Sequence, residues 1–209
     1  MTKFLVVFDV DSTLINEEAI ELLAKRAGTY DQVAAVTARA MAGELDFEQS
    51  LRERVATLKD LPEEVLQEVA LELSPTKGAK ELIAAIHQRD GLAVAVSGGF
   101  IQLLGNVKQT LGFDFERANT LETVDGRLTG NVIGAVIDRQ AKADALLQWA
   151  GAFGLKLEQT IAVGDGANDL GMMEIAGLSV AFCAKPIVQQ KAKIALNERD
   201  LSQLISLLP

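Results

Sequence analysis

The chain has 209 residues, 49% hydrophobic and 23% charged, and a formal net charge of −9. This is the profile of a soluble globular protein with one large domain, or one domain carrying a smaller insertion. The charge excludes binding to a nucleic-acid backbone or an anionic membrane by bulk electrostatics. The single cysteine, Cys183, excludes an intramolecular disulfide. No apolar run approaches the roughly 18 residues of a membrane span. The first apolar stretch meets Asp9 after five residues, too few for a secretory h-region. The chain is therefore expected in the cytoplasm as a monomer or homodimer, with a small molecule rather than nucleic acid or membrane as its partner.

Phe4 to Phe8 is a short continuous apolar run, which predicts a strand buried on both faces. It ends in two carboxylates, Asp9 and Asp11, one residue apart. On an extended chain such residues face the same side, so their charges converge and repel unless a cation lies between them. A divalent metal, a nucleophile beside an acid, or both fit this arrangement. The plainer alternative is turn and helix-cap chemistry in Asp9-Val10-Asp11-Ser12-Thr13.

Helical periodicity follows in four segments: Glu17 to Ala27, Gln32 to Ala42, Phe47 to Leu58, and Pro62 to Leu73, with Pro62 at a first helical position. Breaks fall at Gly28, Gly43 and 59–62, and Pro75 to Gly78 closes the block. From there helices and strands alternate: helix Ala79 to Arg89, strand Leu92 to Val96, and helix Phe100 to Leu111. A hairpin, Ala118 to Val124 with Arg127 to Ile133, turns on Asp125-Gly126. Helix Gln140 to Phe153, strand Thr160 to Val163, helix Asp169 to Ala176 and strand Leu178 to Phe182 complete the pattern. This is an α/β fold with a mainly parallel central sheet covered on both faces. Residues 1–14 and 77–209 form its core, and 15–76 are inserted as a helical-bundle cap.

Polar clusters stand behind the strands, where open α/β sheets bind ligands. Ser97, Gly98 and Gly99, expected just before a helix, offer a hydroxyl and free N–H groups to a phosphate; alone they would read as a capped glycine turn. Asp165 and Asp169 add carboxylates opposite the first pair, an oxygen donor set suited to Mg²⁺. Lys142 either neutralises a phosphate or pairs on the surface with Asp138, four residues earlier.

Together, Asp9-Val10-Asp11-Ser12-Thr13, Ser97-Gly98-Gly99, Lys142 and Gly164-Asp165-Gly166-Ala167-Asn168-Asp169 resemble the motifs of the haloacid dehalogenase superfamily of aspartyl-phosphate phosphatases. The stretch from Met41 to Val55 narrows the resemblance to members acting on phosphoserine. The likeness runs from Phe4 to about Leu204 and implies a Rossmann-like core. It also leaves no room for the regulatory domains that some members carry before the catalytic part.

The resemblance implies Mg²⁺-dependent hydrolysis of phosphoserine to serine and phosphate, the closing step of serine biosynthesis, through a phosphorylated Asp9. Asp11 is then the acid–base group. Asp9, Asp165 and Asp11, the last through its backbone carbonyl, hold the metal, with Asp169 in support. Lys142, Ser97, Gly98 and Asn168 bind the phosphate, and Thr13 and Gly99 support the motifs.

The expected cap carries the substrate argument. Arg54 lies in the apolar stripe Phe47, Leu51, Val55 and Leu58 with no carboxylate one turn away, whereas Arg52 has Glu48. Glu18 lies in the stripe Ile15, Ala19 and Leu22 with no nearby cation. The two either pair with each other or await outside charges. The resemblance implies that Arg54 takes a substrate carboxylate and Glu18 its ammonium, with Met41 and Phe47 excluding water. His87 is given no role, and Cys183 is expected to be a small buried residue. Two other functions compete: phosphate transfer to another alcohol such as homoserine, and non-catalytic sensing of a phosphoamino acid.

Overall fold

A computed structural model describes residues 2–209. Phe4–Phe8 forms strand β1, buried along its whole length. Its alternating side chains serve two cores: Phe4, Val6 and Phe8 belong to one apolar cluster, and Leu5 and Val7 to another on the opposite face. The remaining strands are β2 (Gly91–Phe100), β3 (Phe115–Val124), β4 (Arg127–Ile133), β5 (Thr160–Gly164), β6 (Leu178–Phe182) and β7 (Ile194–Leu196). Their order across the sheet is β4-β3-β2-β1-β5-β6-β7. Every neighbouring pair is parallel except the β3–β4 hairpin, which turns through positive φ at Asp125 and Gly126 as expected. Strand order reverses at β1, leaving a crevice between the carboxyl ends of β1 and β5.

Four helices occupy the chain between β1 and the helix leading into β2: α1 (Ala19–Ala27), α2 (Tyr30–Met41), α3 (Phe47–Ala56) and α4 (Glu64–Glu72). An Asp46–Gln49 capping box starts α3, and Gly28 in the left-handed region ends α1. Pro62 is not the first residue of α4. It bridges instead to Arg127 of the hairpin, which postpones that helix to Glu64. Buried residues of the insertion (Leu23, Val33, Leu51, Val55, Val69) share one cluster with Phe8 and Phe100 of the sheet.

The insertion is attached at two places. At its root, Ile15 bridges Pro75, and Glu17 accepts hydrogen bonds from the Ser74 backbone and hydroxyl at 2.9 and 2.5 Å. Beyond α3, Asp60 N–H donates to the Leu128 carbonyl and Leu128 N–H to that of Leu61, both at 2.9 Å.

Three further helices precede the crevice or cover the sheet: α5 (Ala79–Gln88), α6 (Leu104–Leu111) and α7 (Arg139–Ala152). The short helices α8 (Leu170–Ile175) and α9 (Pro186–Lys191) follow β5 and β6. Strand β2 runs four residues further than its apolar run, through Ser97-Gly98-Gly99 to Phe100, so these residues do not immediately precede an α-helix; a 3₁₀ turn, Ile101–Leu103, intervenes before α6. The β2–β3 register shifts between Val96 and Phe100. The three small residues therefore bulge out of regular pairing beside the crevice.

Candidate active site

Each polar cluster stands at the carboxyl end of a strand. Asp9 directly follows β1, its N–H tied to the Val163 carbonyl of β5 at 2.9 Å. Asp165 follows β5, and Asp169 closes the next turn, its Oδ2 accepting from the N–H groups of Asp165 and Gly166 at 3.1 and 3.0 Å. Lys142 reaches the same point from α7, whose start is capped by Asp138 accepting from Ala141 N–H at 2.8 Å. The alternative surface pair of Lys142 with Asp138 does not form. Asp138 turns to the helix backbone, and Lys142 is 0% exposed, its Nζ donating to Asp9 Oδ1 at 2.5 Å and Asp169 Oδ1 at 2.6 Å.

Asp9, Asp165 and Asp169 each offer an oxygen within 4.8 Å of the others. Asp9 is only 5% exposed. Burial raises its pKa well above the usual carboxylate range, and Asp169 and Asp165 add to the rise against the opposition of Lys142. Burial, then Asp169 and Glu18, pushes Asp165 up to about 7. Burial alone would lower the Lys142 pKa, but Asp169 and Asp9 outweigh it and raise the value above that of an ordinary lysine. One ammonium against three converging carboxylates leaves negative charge uncompensated in a mostly buried space. An oxygen-seeking divalent cation fits that donor set.

The Asp11 carboxylate is not part of this triad, so the expected gathering of four acidic side chains is a gathering of three. Ser12 takes φ +57 and turns the chain out of the strand, and Asp11 Oδ1 instead accepts from Ala19 N–H at 3.4 Å, at the start of α1. Its other oxygen lies against Gly99, where an added Cβ would fall 2.7 Å from Asp11 Oδ2 and 3.0 Å from Ser97 Oγ. Burial first, then Glu18, pushes the Asp11 pKa up to about 7. A Cβ at Gly98 would lie 2.7 Å from Phe47 Cζ and 3.7 Å from Asn168 Nδ2. Asp11, Ser97, Gly98, Gly99, Asn168 and Phe47 are thus neighbours. Thr13 is buried, its hydroxyl without a hydrogen-bond partner among the described residues.

On the insertion, Arg54 Nε donates to the Ser50 carbonyl at 3.2 Å. Among the described residues it makes no ion pair, so pairing with Glu18 does not occur. Burial lowers its pKa, while Glu18, Asp11 and Glu21 pull the other way. Glu18 accepts from the Ser12 hydroxyl at 2.7 Å. Arg52 pairs with Glu48 at 2.7 Å on the surface, as expected.

Two expectations fail on burial. Met41, the last residue of α2, is 71% exposed and encloses nothing. Cys183 is half-buried rather than buried, because it leaves β6 with φ +45. His87 bonds Asp114 at 3.0 Å, away from the site.

Sequence reasoning passed over one residue of the site, Asn119 on β3. It is 1% exposed, and both ends of its amide are bonded at 2.8 Å, Nδ2 to the Gly98 carbonyl and Oδ1 to Ile137 N–H. The available signal was an asparagine inside a strand, a position that residue disfavours.

A family model for haloacid dehalogenase-like hydrolases matches residues 6–174. The chain belongs to that family. It is 49% identical over 206 residues to the phosphoserine phosphatase of Streptococcus thermophilus, covering 99% of this chain and 96% of that one. It is 46% identical over 203 residues to the phosphoserine phosphatase of Methanocaldococcus jannaschii, covering 97% and 96%. A solved structure of a phospho-aspartyl intermediate analogue of phosphoserine phosphatase superposes with a TM-score of 0.94, at 45% identity and full coverage of both chains. The α/β fold expected from the family motifs is therefore the observed one. Among the described residues no helix is long and apolar enough to cross a membrane.

Proposed function

We propose that this chain hydrolyses O-phosphoserine to serine and inorganic phosphate, with Asp9 as nucleophile and Mg²⁺ as its metal. The observation that carries the reading is the juxtaposition of two differently completed sites. The Lys142–Asp9 contact is buried in the core, and among the described residues the insertion presents Arg54 without a carboxylate and Glu18 without a cation, with Asp11 near enough to act on the Arg54 charge. A phosphomonoester bearing a carboxylate and an ammonium satisfies both sets.

The carboxylates of Asp9 and Asp165 and the backbone carbonyl of Asp11 would hold Mg²⁺, with Asp169 bracing Lys142 and the loop around Asp165. When bound, the ion neutralises charge on the phosphoryl oxygens. An Asp9 oxygen forms a bond to phosphorus as the bond from phosphorus to the serine oxygen breaks, and Asp11 gives its proton to that departing oxygen. Asp11 then takes a proton from water, which attacks the acyl phosphate and returns Asp9 as a carboxylate with release of phosphate. A carboxyl with its pKa near 7 suits both halves of this exchange. Ser97, Asn168 and the Gly98 backbone bind phosphoryl oxygens, and Lys142 opposes their charge. Phe47, packed over Gly98, shields the reacting centre from water.

Residues 15–76 act as a cap over a core of 1–14 and 77–209. The test is turnover of a phosphomonoester panel with Mg²⁺. Phosphoserine should exceed sugar phosphates and nucleotides, and equal rates across the panel would remove the substrate assignment.

A further inference from the structure

Asn119 binds no metal ligand and reaches no substrate position, yet it is one of the few fully buried polar side chains, with both ends of its amide used. Its two partners are informative. The Gly98 carbonyl that accepts from Nδ2 belongs to the same peptide unit as the Gly99 N–H, and that N–H donates to Ser97 Oγ at 2.8 Å. Fixing one end of a planar peptide fixes the other. A serine oxygen that accepts from Gly99 N–H directs its own O–H elsewhere. The second partner, Ile137, immediately precedes Asp138, which caps α7 and whose carbonyl accepts from Lys142 N–H at 3.0 Å.

We propose that Asn119 is a positioning residue that sets the hydroxyl direction of Ser97 and the approach of the Lys142 helix through one amide. Two phosphoryl-binding groups from separate elements, β2 and α7, are thereby held in register by a third, β3. The bulge makes this necessary. With the β2–β3 ladder interrupted between Val96 and Phe100, no regular backbone pairing orients the Gly98–Gly99 peptide, and the Asn119 side chain replaces it. The inference rests on the reading of Ser97 and Lys142 as phosphate-binding groups.

The experiment compares Asn119→Asp, which keeps the acceptor for Ile137 but loses the donor to Gly98, with Asn119→Ala, which loses both. Each is made alone and in a Ser97→Ala background, with phosphoserine kinetics and thermal melting recorded. Misdirected transition-state donors typically reduce kcat by about 10- to 100-fold. That loss is expected in Asn119→Asp with KM within about threefold and a cooperative melt retained. In the Ser97→Ala background the same substitution should cost no more than about threefold further, because its route of action is already gone. Full multiplication of the two losses overturns the proposal, as does unaltered kcat in Asn119→Asp. If neither variant folds, the residue is structural and the proposal is equally overturned. Absence of phosphoserine turnover in the wild type would instead defeat the functional reading, so the two failures are distinguishable.

Discussion

Lys142 and Arg54 are both cations withdrawn from water, and the protein treats them in opposite ways. Lys142, on the core, is fully enclosed and ion-paired twice, with Asp9 and Asp169. Arg54, on the insertion, is half-buried, its burial unfavourable to charge, and meets only a backbone carbonyl. The core lysine has its carboxylates, but the insertion's arginine lacks an anion. A buried pair fixes geometry in advance, as chemistry at phosphorus requires. An unpaired guanidinium holds free energy in reserve for a ligand, as substrate selection requires.

The strongest way to break this comparison is at the nucleophile. Asp9→Asn should lower kcat with phosphoserine by about 10⁴-fold or more. Residual turnover within tenfold of wild type would show that Asp9 does not attack phosphorus. Next comes Lys142→Met, which leaves Asp9 and Asp169 without their cation. Removing one partner of a buried pair costs about 3–5 kcal/mol, readable as a lower urea midpoint together with lost activity. A stability unchanged within 1 kcal/mol would mean the pair is not needed for folding.

Arg54→Ala should behave differently, raising KM for phosphoserine about 10- to 100-fold while hardly changing turnover of a phenyl phosphate, which has no carboxylate. An equal loss on both esters would contradict its assigned partner. Arg52→Ala on the same helix, whose exposed pair with Glu48 is worth at most about 1 kcal/mol, should leave both kinetics and melting close to wild type.

The acidic triad adds a test by pH. Asp165 and Asp11 are raised to about 7, so the folded, metal-free protein holds protons that the unfolded chain releases at ordinary carboxylate values. Their stabilising contribution is therefore fully present below that ordinary range and lost as pH rises through about 7. Chelated protein should melt at progressively lower temperature from about pH 4 to 7, and added Mg²⁺ should raise the melting temperature more at the upper end. A melting temperature insensitive to pH in chelator would contradict the burial of uncompensated carboxylate charge.

Legibility from the sequence divided along similar lines. The strand Phe4–Phe8 and its terminal carboxylates were readable because burial on both faces leaves a continuous apolar run, and motif residues follow it directly. Local pairs such as Arg52 with Glu48 were readable because one helical turn brings them together. The route of Lys142 was not, since Asp138 at four residues' distance was an equally plausible partner until the sheet brought Asp9 and Asp169 nearer. The extent of β2 escaped notice because Ser97-Gly98-Gly99 has turn chemistry but is held extended by its neighbours. Met41 was placed at the pocket by the resemblance, which carries over a position but not its exposure, and here the end of its helix leaves it in solvent.

Residue order by itself determined the alternation of strand and helix, the inserted helical block, and the types of group available for phosphoryl chemistry. These depend on periodicity and near-neighbour sterics. Tertiary structure decided which carboxylates share an ammonium, that Asp11 turns away from the triad, that Arg54 makes no ion pair among the described residues, and that Asn119 of β3 ties the glycine segment of β2 to the residue before the α7 cap. Each of those outcomes depends on the path of a distant segment through a low-dielectric interior, where a few ångströms change the strength of a charge contact several-fold.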